Sequence, residues 1–302
     1  MKAIVLTAYG DVDKLELRDL PDPHATADGI VVRMAGASIN PVDWKMRSGS
    51  AQARHPLELP AVLGRDVSGE VVEVGDDVSA FAVGDRVLGF VTRAYAELVA
   101  APAERWAKIP AGLDVAEAGA LPLALLTGAQ LVEEAVRRAE GGVLLVTGAM
   151  GSVGRVAVFA AKKSGARAWA GVRMSQRAEA AKLGAEGVVA LDDDEDIATV
   201  PMFDAIADTV GGDTIKKLYG KLKPGGVIGS VLGEPAGAKE RGFVVRAFMA
   251  HADSAMLTRY ATAVAERKLE IPIARKMPLA EAAAAQKLAE TKHPGGKVLL
   301  LG

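Results

Sequence analysis

The sequence predicts an α/β protein in which a doubly wound parallel sheet follows a β-rich module of about 110 residues. Three observations predict it. The first third is rich in glycine and β-branched residues, broken every few positions by turn signals. From about Asp114 onward, helical spacing alternates with short β-branched runs. In the middle of that second region a glycine-rich turn joins a strand to a helix.

The elements follow in order. Residues 30–34, 69–75 and 86–90 read as short strands, punctuated by Asp76-Asp77, Gly84-Asp85 and Pro110-Ala111-Gly112. Residues 116–139 read as one or two helices. Gly142-Val143-Leu144-Leu145-Val146-Thr147 is a continuous apolar run of strand length, which suits a strand buried on both faces. A helix over 153–164 and a strand over 168–172 come next, then strands over 187–190, 203–207 and 226–231. Helices over 254–268 and 279–291 and a strand over 297–301 close the chain. The acidic run Asp192-Asp193-Asp194-Glu195-Asp196 reads as a solvated loop, because a block of like charges repels itself.

Composition narrows the function. The 302 residues suit about two domains, and a formal net charge of -2 offers no basic surface to nucleic acid or an anionic membrane. There is no cysteine, which removes disulfides, thiolate zinc sites, iron–sulfur clusters and thiol catalysis together. The four histidines (His24, His55, His251 and His293) form no HxxxH or HxH pair, so no metal ligand set is expected. The N-terminal apolar run is too short for a targeting segment, and the longest apolar stretch, residues 118–130, contains Pro122. It falls short of the roughly 20 residues that span a bilayer, so a soluble, cytoplasmic protein without a membrane partner is expected.

The strongest local signal is Thr147-Gly148-Ala149-Met150-Gly151-Ser152-Val153-Gly154, which follows an apolar strand and opens a helix. Small residues there let backbone N–H groups approach a pyrophosphate, and the helix presents its unpaired N–H groups and positive dipole end to that anion. Ala149, Gly151, Ser152, Val153 and Gly154 are therefore candidate cofactor contacts, and the second region reads as a Rossmann segment. About twenty residues on, an NAD site would carry a carboxylate for the ribose; here the strand runs into Val172-Arg173-Met174-Ser175-Gln176-Arg177. Arg173, Ser175 and Arg177 suit a 2′-phosphate, which points to NADPH, unless the two arginines are simply solvated surface cations. A rival frame is the short-chain dehydrogenase fingerprint, with Tyr219 and Lys223 as a Tyr-x-x-x-Lys pair. Two features count against it: some 140 residues precede the glycines, and Lys223 stands at a helix end before Pro224-Gly225-Gly226.

A β-rich region, a Rossmann segment and a short return resemble the medium-chain dehydrogenase/reductase superfamily. The residues that narrow the resemblance to its zinc-independent quinone oxidoreductase branch include Asn40-Pro41-Val42-Asp43, the stretch from Leu63-Gly64-Arg65-Asp66 to Gly75, and Phe81-x-x-Gly84-Asp85-Arg86-Val87. Ala94-Tyr95-Ala96-Glu97, Leu121-Pro122 with Thr127-Gly128, Leu222-Lys223-Pro224-Gly225-Gly226 and Gly296-Lys297-Val298-Leu299-Leu300 continue the series. The resemblance covers essentially the whole chain. It implies a GroES-like catalytic domain over 1–115 and 250–302, and a Rossmann NADPH-binding domain over 116–249.

It also implies the chemistry. Zinc-dependent relatives carry a cysteine and a histidine where this chain has Ser38 and Arg65, and the cysteine-rich lobe is missing between Phe90 and Tyr95, so a zinc-free enzyme is expected. In the family the nicotinamide lies in a cleft between domains, and hydride moves to a quinone or to the β-carbon of an α,β-unsaturated carbonyl. Asn40 is the implied donor to the oxygen that gains charge, with Asp43 beside it to orient it or to exchange protons. The plain alternative is a turn cap for Asn40 and an N-cap for Asp43. Arg246 aligns with an arginine beside the quinone site, or is a surface charge. Thr127, Val210, Leu232 and Gly233 would line the nicotinamide side at strand ends. At residues 48–55 the chain departs from relatives that carry tyrosines near the substrate entrance; Trp44 either replaces some of that surface or is packed, and His55 reads as a loop residue. A final strand within 243–248 would pair with its copy, so a homodimer is expected. An enone or enal reductase and a non-catalytic NADPH-binding redox sensor remain as alternatives.

Overall fold

The structure, a computed structural model, describes residues 1–137, 141–292 and 294–302. The chain opens with β1 (Lys2–Leu6), β2 (Leu15–Asp19), β3 (Gly29–Ser38) and α1 (Pro41–Ser48). Next come β4 (Ala61–Val62), β5 (Asp66–Val74), β6 (Arg86–Phe90), β7 (Leu98–Pro102) and β8 (Trp106–Lys108). Two helices, α2 (Val115–Ala118) and α3 (Pro122–Gln130), lead into an alternating stretch. That stretch runs β9 (Val143–Thr147), α4 (Ser152–Lys163), β10 (Arg167–Val172), α5 (Arg177–Ala180), β11 (Gly187–Ala190) and α6 (Asp194–Thr199). It continues with β12 (Phe203–Asp208), α7 (Gly212–Lys217), β13 (Leu222–Ser230) and β14 (Val244–Ala247). The end of the chain supplies α8 (Ser254–Ala265), β15 (Ile273–Pro278), α9 (Ala282–Lys292) and β16 (Lys297–Leu301).

The chain divides into two compact units, Met1–Leu123 with Ala252–Gly302, and Ala124–His251. The first is β-rich. A small antiparallel sheet has the order β2-β1-β4, and a larger one the order β15-β16-β3-β5-β6-β8, with β7 also paired to β3. Alternate residues of β3, β5 and β16 point into one core with Leu6, Tyr95 and Trp106: Ile30 and Val32, Val67 and Val71, Val298 and Leu300. The strand β16 lies between β15 and β3, so the last strand of the chain is a central strand of this unit.

The second unit is the α/β part that the alternating pattern predicts. Its strands are all parallel, in the order β11-β10-β9-β12-β13-β14. This is the doubly wound arrangement, and its strand order reverses between β9 and β12. All five residues of β9 are buried, which is why that run carries no polar alternation.

Several expectations are corrected. The one or two helices expected over 116–139 are two, α2 and α3; what differs is that α3 continues as a π-helix, Leu131–Val136, that ends at left-handed Arg137, while Ala139 lies outside the described residues. Pro122 starts α3 because its missing N–H is no loss in a first turn. The helical stretch Val115–Val136 is long and apolar enough to cross a membrane by length and composition, unlike the shorter run read from the sequence, and most of it is buried inside the fold. The acidic run is not a loop throughout. Asp193 accepts from the N–H groups of Glu195 and Asp196, and Asp194, Glu195 and Asp196 form the first turn of α6, where a helix dipole favours negative charge. Finally, α8 stops at Ala265, three residues before the expected end, as Arg267 turns left-handed.

Candidate active site

The turn from β9 into α4 is built from backbone. Gly148 adopts a left-handed φ of 63°, the Gly151 N–H donates to the Gly148 carbonyl at 2.9 Å, and the Ala149 N–H donates to Gly171 of β10 at 3.0 Å. Gly154 has no room for a side chain: a Cβ there would collide with the Gly148 carbonyl. The first turn of α4 therefore sits directly on the loop. Its opening N–H groups, on Ser152, Val153 and Gly154, precede the first intrahelical bond, and the turn carries no acidic residue. Gly151 is exposed, Ser152 and Val153 are half-buried, and Ala149 is buried. Thr127 is buried on α3, where Gly128 packs so closely on α4 that a Cβ would meet the Val153 carbonyl and Val156.

Beyond β10, the arginines differ. Arg177 pairs with Asp196 at 2.6 Å, so its cation is already committed. Arg173 and Ser175 are exposed, and among the described residues the Arg173 guanidinium has no ion-pair partner. Sequence reading missed a neighbour here: Asp192 accepts from the Met174 N–H at 2.7 Å, which sets an exposed carboxylate beside this turn.

At the carboxyl ends of β9, β12 and β13 the buried carboxylate of Asp208 ties three strands together. It accepts from Thr147 Oγ1 at 2.9 Å, Ser230 Oγ at 3.2 Å, and the N–H groups of Val210 and Gly211 at 3.2 and 3.0 Å. Thr209 adds an N–H to Thr147 Oγ1 and its own hydroxyl to the Thr147 carbonyl. Above this buried collar Val210 and Leu232 are 44% and 39% exposed, beside left-handed Gly233. Exposed apolar side chains on a set of strand ends are what a planar ligand would cover. Arg246 plays a different part. It lies on β14 and donates to the carbonyls of Ala135 and Val136 at 2.8 and 3.4 Å, so its guanidinium closes the end of the π-helix rather than standing free for a quinone.

The first unit carries a buried polar cluster. Asn40 caps α1, Pro41 takes the first helical position, and Asp43 reaches back so that Oδ2 accepts from the Asn40 N–H at 2.7 Å. The Asn40 side chain is fully occupied. Its Nδ2 donates to Asp66 Oδ2 at 2.8 Å and to the Ser38 carbonyl at 3.3 Å, while its Oδ1 accepts from Lys297 Nζ at 2.5 Å. Asn40 thus has no donor left for a substrate oxygen, contrary to the role expected for it, because strands β3, β5 and β16 converge on its amide. Asp66 also accepts from Ser38 Oγ at 2.6 Å, Lys297 Nζ at 3.3 Å and the Leu123 N–H at 2.6 Å. Tyr95 donates its hydroxyl to Asp43 Oδ2 at 2.7 Å. Burial pushes the Asp43 carboxyl up to about 6, against the pull of the Tyr95 and Asn40 hydrogen bonds, and burial likewise raises the Tyr95 phenol well above its usual range. Sequence reading missed Asp66, Tyr95 and Lys297 as site residues. The signal for Lys297 was a charge opening an otherwise apolar strand, β16; Asp66 opens β5, which also carries Glu70 and Glu73 and so gave no such contrast.

Arg65 points its guanidinium at His55 Nδ1, 3.1 Å away, and at the Met46 sulfur. Trp44 is half-buried against the core.

Residues 26–111 match the family described as alcohol dehydrogenase GroES-like domain, and residues 183–300 match zinc-binding dehydrogenase. The chain is similar to the quinone oxidoreductase of Coxiella burnetii, at 32% identity and a TM-score of 0.90, over 100% of this chain and 99% of the other. It is similar to the chloroplastic NADPH-dependent alkenal/one oxidoreductase of Arabidopsis thaliana, at 30% identity over 99% of this chain and 79% of the relative. A mycobacterial protein complexed with NADPH shares 25% identity and a TM-score of 0.83 over the full length of both chains. The matches span 52–59% of the length of other curated relatives. The name of the second matched family raises the question of zinc. A serine hydroxyl that donates to Asp66 and a guanidinium beside His55 do not fit a zinc ion, and among the described residues no three His, Cys, Asp or Glu side chains are placed to hold a metal.

Proposed function

Because the chain belongs to the quinone oxidoreductase branch of the medium-chain dehydrogenase/reductase superfamily, we propose that it uses NADPH, without zinc, to reduce a quinone or a related α,β-unsaturated carbonyl. The observation that carries this reading is the turn from β9 into α4, whose free N–H groups and uncompensated helix dipole suit a pyrophosphate. Bound there, NADPH supplies the hydride. Ser152, Val153 and Gly154 would hold its pyrophosphate through their backbone, with Arg173 and Ser175 at the 2′-phosphate and Val210, Leu232 and Gly233 along its apolar side. The names of the relatives, a quinone oxidoreductase and an alkenal/one oxidoreductase, support both acceptor classes. Charge that develops on the acceptor oxygen is met by protein groups, since Ser38 and Arg65 offer no zinc ligand. The reading includes a cytoplasmic homodimer joined at the exposed edge of β14.

The test is steady-state oxidation of NADPH with 1,4-benzoquinone, 1,4-naphthoquinone and a short enone. Turnover of at least one is expected, and turnover of none sinks the enzyme. Cofactor choice is read from two variants. Losing a charge-assisted contact of about 1.5–3 kcal/mol weakens binding roughly 10–100-fold. Arg173→Ala is therefore expected to raise the Kd for NADPH by that factor and leave NADH unchanged. Arg177→Ala is expected to change neither by more than about twofold, because its cation already serves Asp196. A second reading, NADPH binding without turnover, is favoured by the full commitment of the Asn40 amide. Thermal stabilisation by NADPH with no reduction of any acceptor would select it.

A further inference from the structure

The end of β10 carries no acid of its own, although an NAD site places one there to take the ribose hydroxyls. The second unit supplies a carboxylate from the neighbouring strand. β10 and β11 run parallel with Val172 opposite Ala190, and the Leu191 N–H donates to the Val172 carbonyl at 2.7 Å. That register sets Asp192 beside Met174, whose N–H donates to Asp192 Oδ1 at 2.7 Å. Met174 stands between Arg173 and Ser175, so chain geometry holds this carboxylate next to both. Other members of the acidic run are spent elsewhere. Asp193 caps α6, Asp194 pairs with Lys217 at 2.8 Å, and Asp196 pairs with Arg177 at 2.6 Å. Asp192 is exposed, and among the described residues its Oδ2 has no hydrogen-bond or ion-pair partner.

We propose that Asp192 sets which dinucleotide this turn prefers: its Oδ2 accepts from the adenosine 2′-hydroxyl of NADH and repels the 2′-phosphate of NADPH. This rests on the reading of the second unit as a dinucleotide-binding domain, and it adds NADH to the cofactors that the turn takes. The turn holds opposite charges for two different ligands. Arg173 donates to a 2′-phosphate, and Asp192 accepts from a 2′-hydroxyl. A hydroxyl has a hydrogen to give and a carboxylate oxygen can only accept, so the two match. A phosphate monoester brings about −1.5 to −2 charges to the same place. At about 5 Å in water-like surroundings, its repulsion by one carboxylate corresponds to roughly a tenfold loss of affinity. Asp192 therefore offsets part of what Arg173 contributes to NADPH binding. The acid is missing from the β10 motif because it comes from another strand.

The test is the Kd of NADPH and of NADH, read from the fluorescence of the reduced nicotinamide at low ionic strength. Wild type is compared with Asp192→Asn and with Glu195→Gln. Asparagine keeps an oxygen for the Met174 N–H, while its Nδ2 offers hydrogens where Oδ2 accepted. Asp192→Asn is expected to lower the Kd for NADPH about tenfold and to raise that for NADH at least about threefold. Glu195→Gln removes the same charge from an exposed position on α6 and is expected to move neither by more than about twofold. The proposal stands if the two constants of Asp192→Asn move in those opposite directions, each by threefold or more, and those of Glu195→Gln do not. Any other result overturns it. A fall for NADPH alone marks repulsion without a ribose contact, and a matching fall in Glu195→Gln marks the general field of the acidic run. Wild-type protein that binds neither dinucleotide overturns the parent reading as well, whereas a wild type that binds either one, with Asp192→Asn unchanged, overturns only the assignment of Asp192.

Discussion

Asp43 lies wholly inside the protein, with two donors on one carboxylate oxygen and no partner on the other. An ionised carboxylate in that position lacks part of the solvation it had in the unfolded chain. Its pKa rises from 3.8 to about 6, burial being the first cause. The sign of the consequence follows. A carboxyl whose folded value is raised gives its full contribution to stability below its unfolded pKa, and that contribution is lost as pH rises through the folded one. A rise of about two units corresponds to roughly 3 kcal/mol between those limits. Asp43→Asn removes the titration and keeps an oxygen for Tyr95 and the Asn40 N–H. Relative to that variant, wild type is expected to lose stability between about pH 4 and pH 7, read as a difference in Tm at pH 4.5 and 7.5; a gap that does not change with pH would overturn the assignment. At this scale the sequence was informative about which residues gather and uninformative about their bonds. Asn40-Pro41-Val42-Asp43 shows a cap and its reciprocal acid locally. That the Asn40 amide is spent on Asp66 and Lys297 depends on two strands far away in the chain.

The elements that were legible are those whose signal is local. The turn into α4 could be read because strand, glycines and helix are contiguous, and β9 because both its faces are buried. The acidic run was misread because a like-charge block looks solvated until one of its members, Asp193, is seen to cap the helix made by the rest. The Asp208 collar was not legible, since Thr147, Asp208 and Ser230 meet only when β9, β12 and β13 lie side by side. Its importance can be tested. Asp208→Ala leaves four donors facing a void, two hydroxyls and two backbone N–H groups, each costing about 1–3 kcal/mol when buried without an acceptor. Ser230→Ala removes two bonds, the one its hydroxyl donates to Asp208 and the one it accepts from the Leu232 N–H, a loss of about 1–2 kcal/mol. Asp208→Ala is thus expected to lower Tm several times more than Ser230→Ala. It is also expected to weaken NADPH binding, because the loops carrying Val210 and Leu232 are held by the same carboxylate. Equal shifts in Tm would mean that Asp208 does not organise the strand ends.

At the scale of the molecule, the decisive fact is that the chain leaves its first unit at Leu123 and comes back at Ala252. The returning segment supplies β16, which pairs antiparallel with β3 through Leu299 to Ser38 and parallel with β15. That register carries Lys297 to Asn40 across a sequence separation of 257. A resemblance could mark Gly296-Lys297 as a motif, but only the pairing of a C-terminal strand with an N-terminal one makes it part of a site. The same topology ties residues 294–302 into the fold, because β16 pairs on both sides, and a segment tied into a sheet is not dispensable. Here Val298, Leu299 and Leu300 are at most 1% exposed, and burying each side chain of this size contributes about 1.5–3 kcal/mol. Deleting residues 294–302 would remove those three together with the hydrogen bonds of β3 and β15, and would leave Asp66 charged and unpaired inside the unit. The losses are of the same size as the 5–15 kcal/mol that hold a typical domain, so the deletion is expected to unfold the first unit rather than to fray its end. The second unit has its own core, centred on Leu145, Phe203, Ile206 and Ile228, and loses none of it. Limited proteolysis of the truncated protein should therefore cut throughout residues 1–123 while a fragment near 124–251 persists. A truncated chain as resistant as wild type across both units would show that β16 is an ornament on the first unit and not one of its central strands.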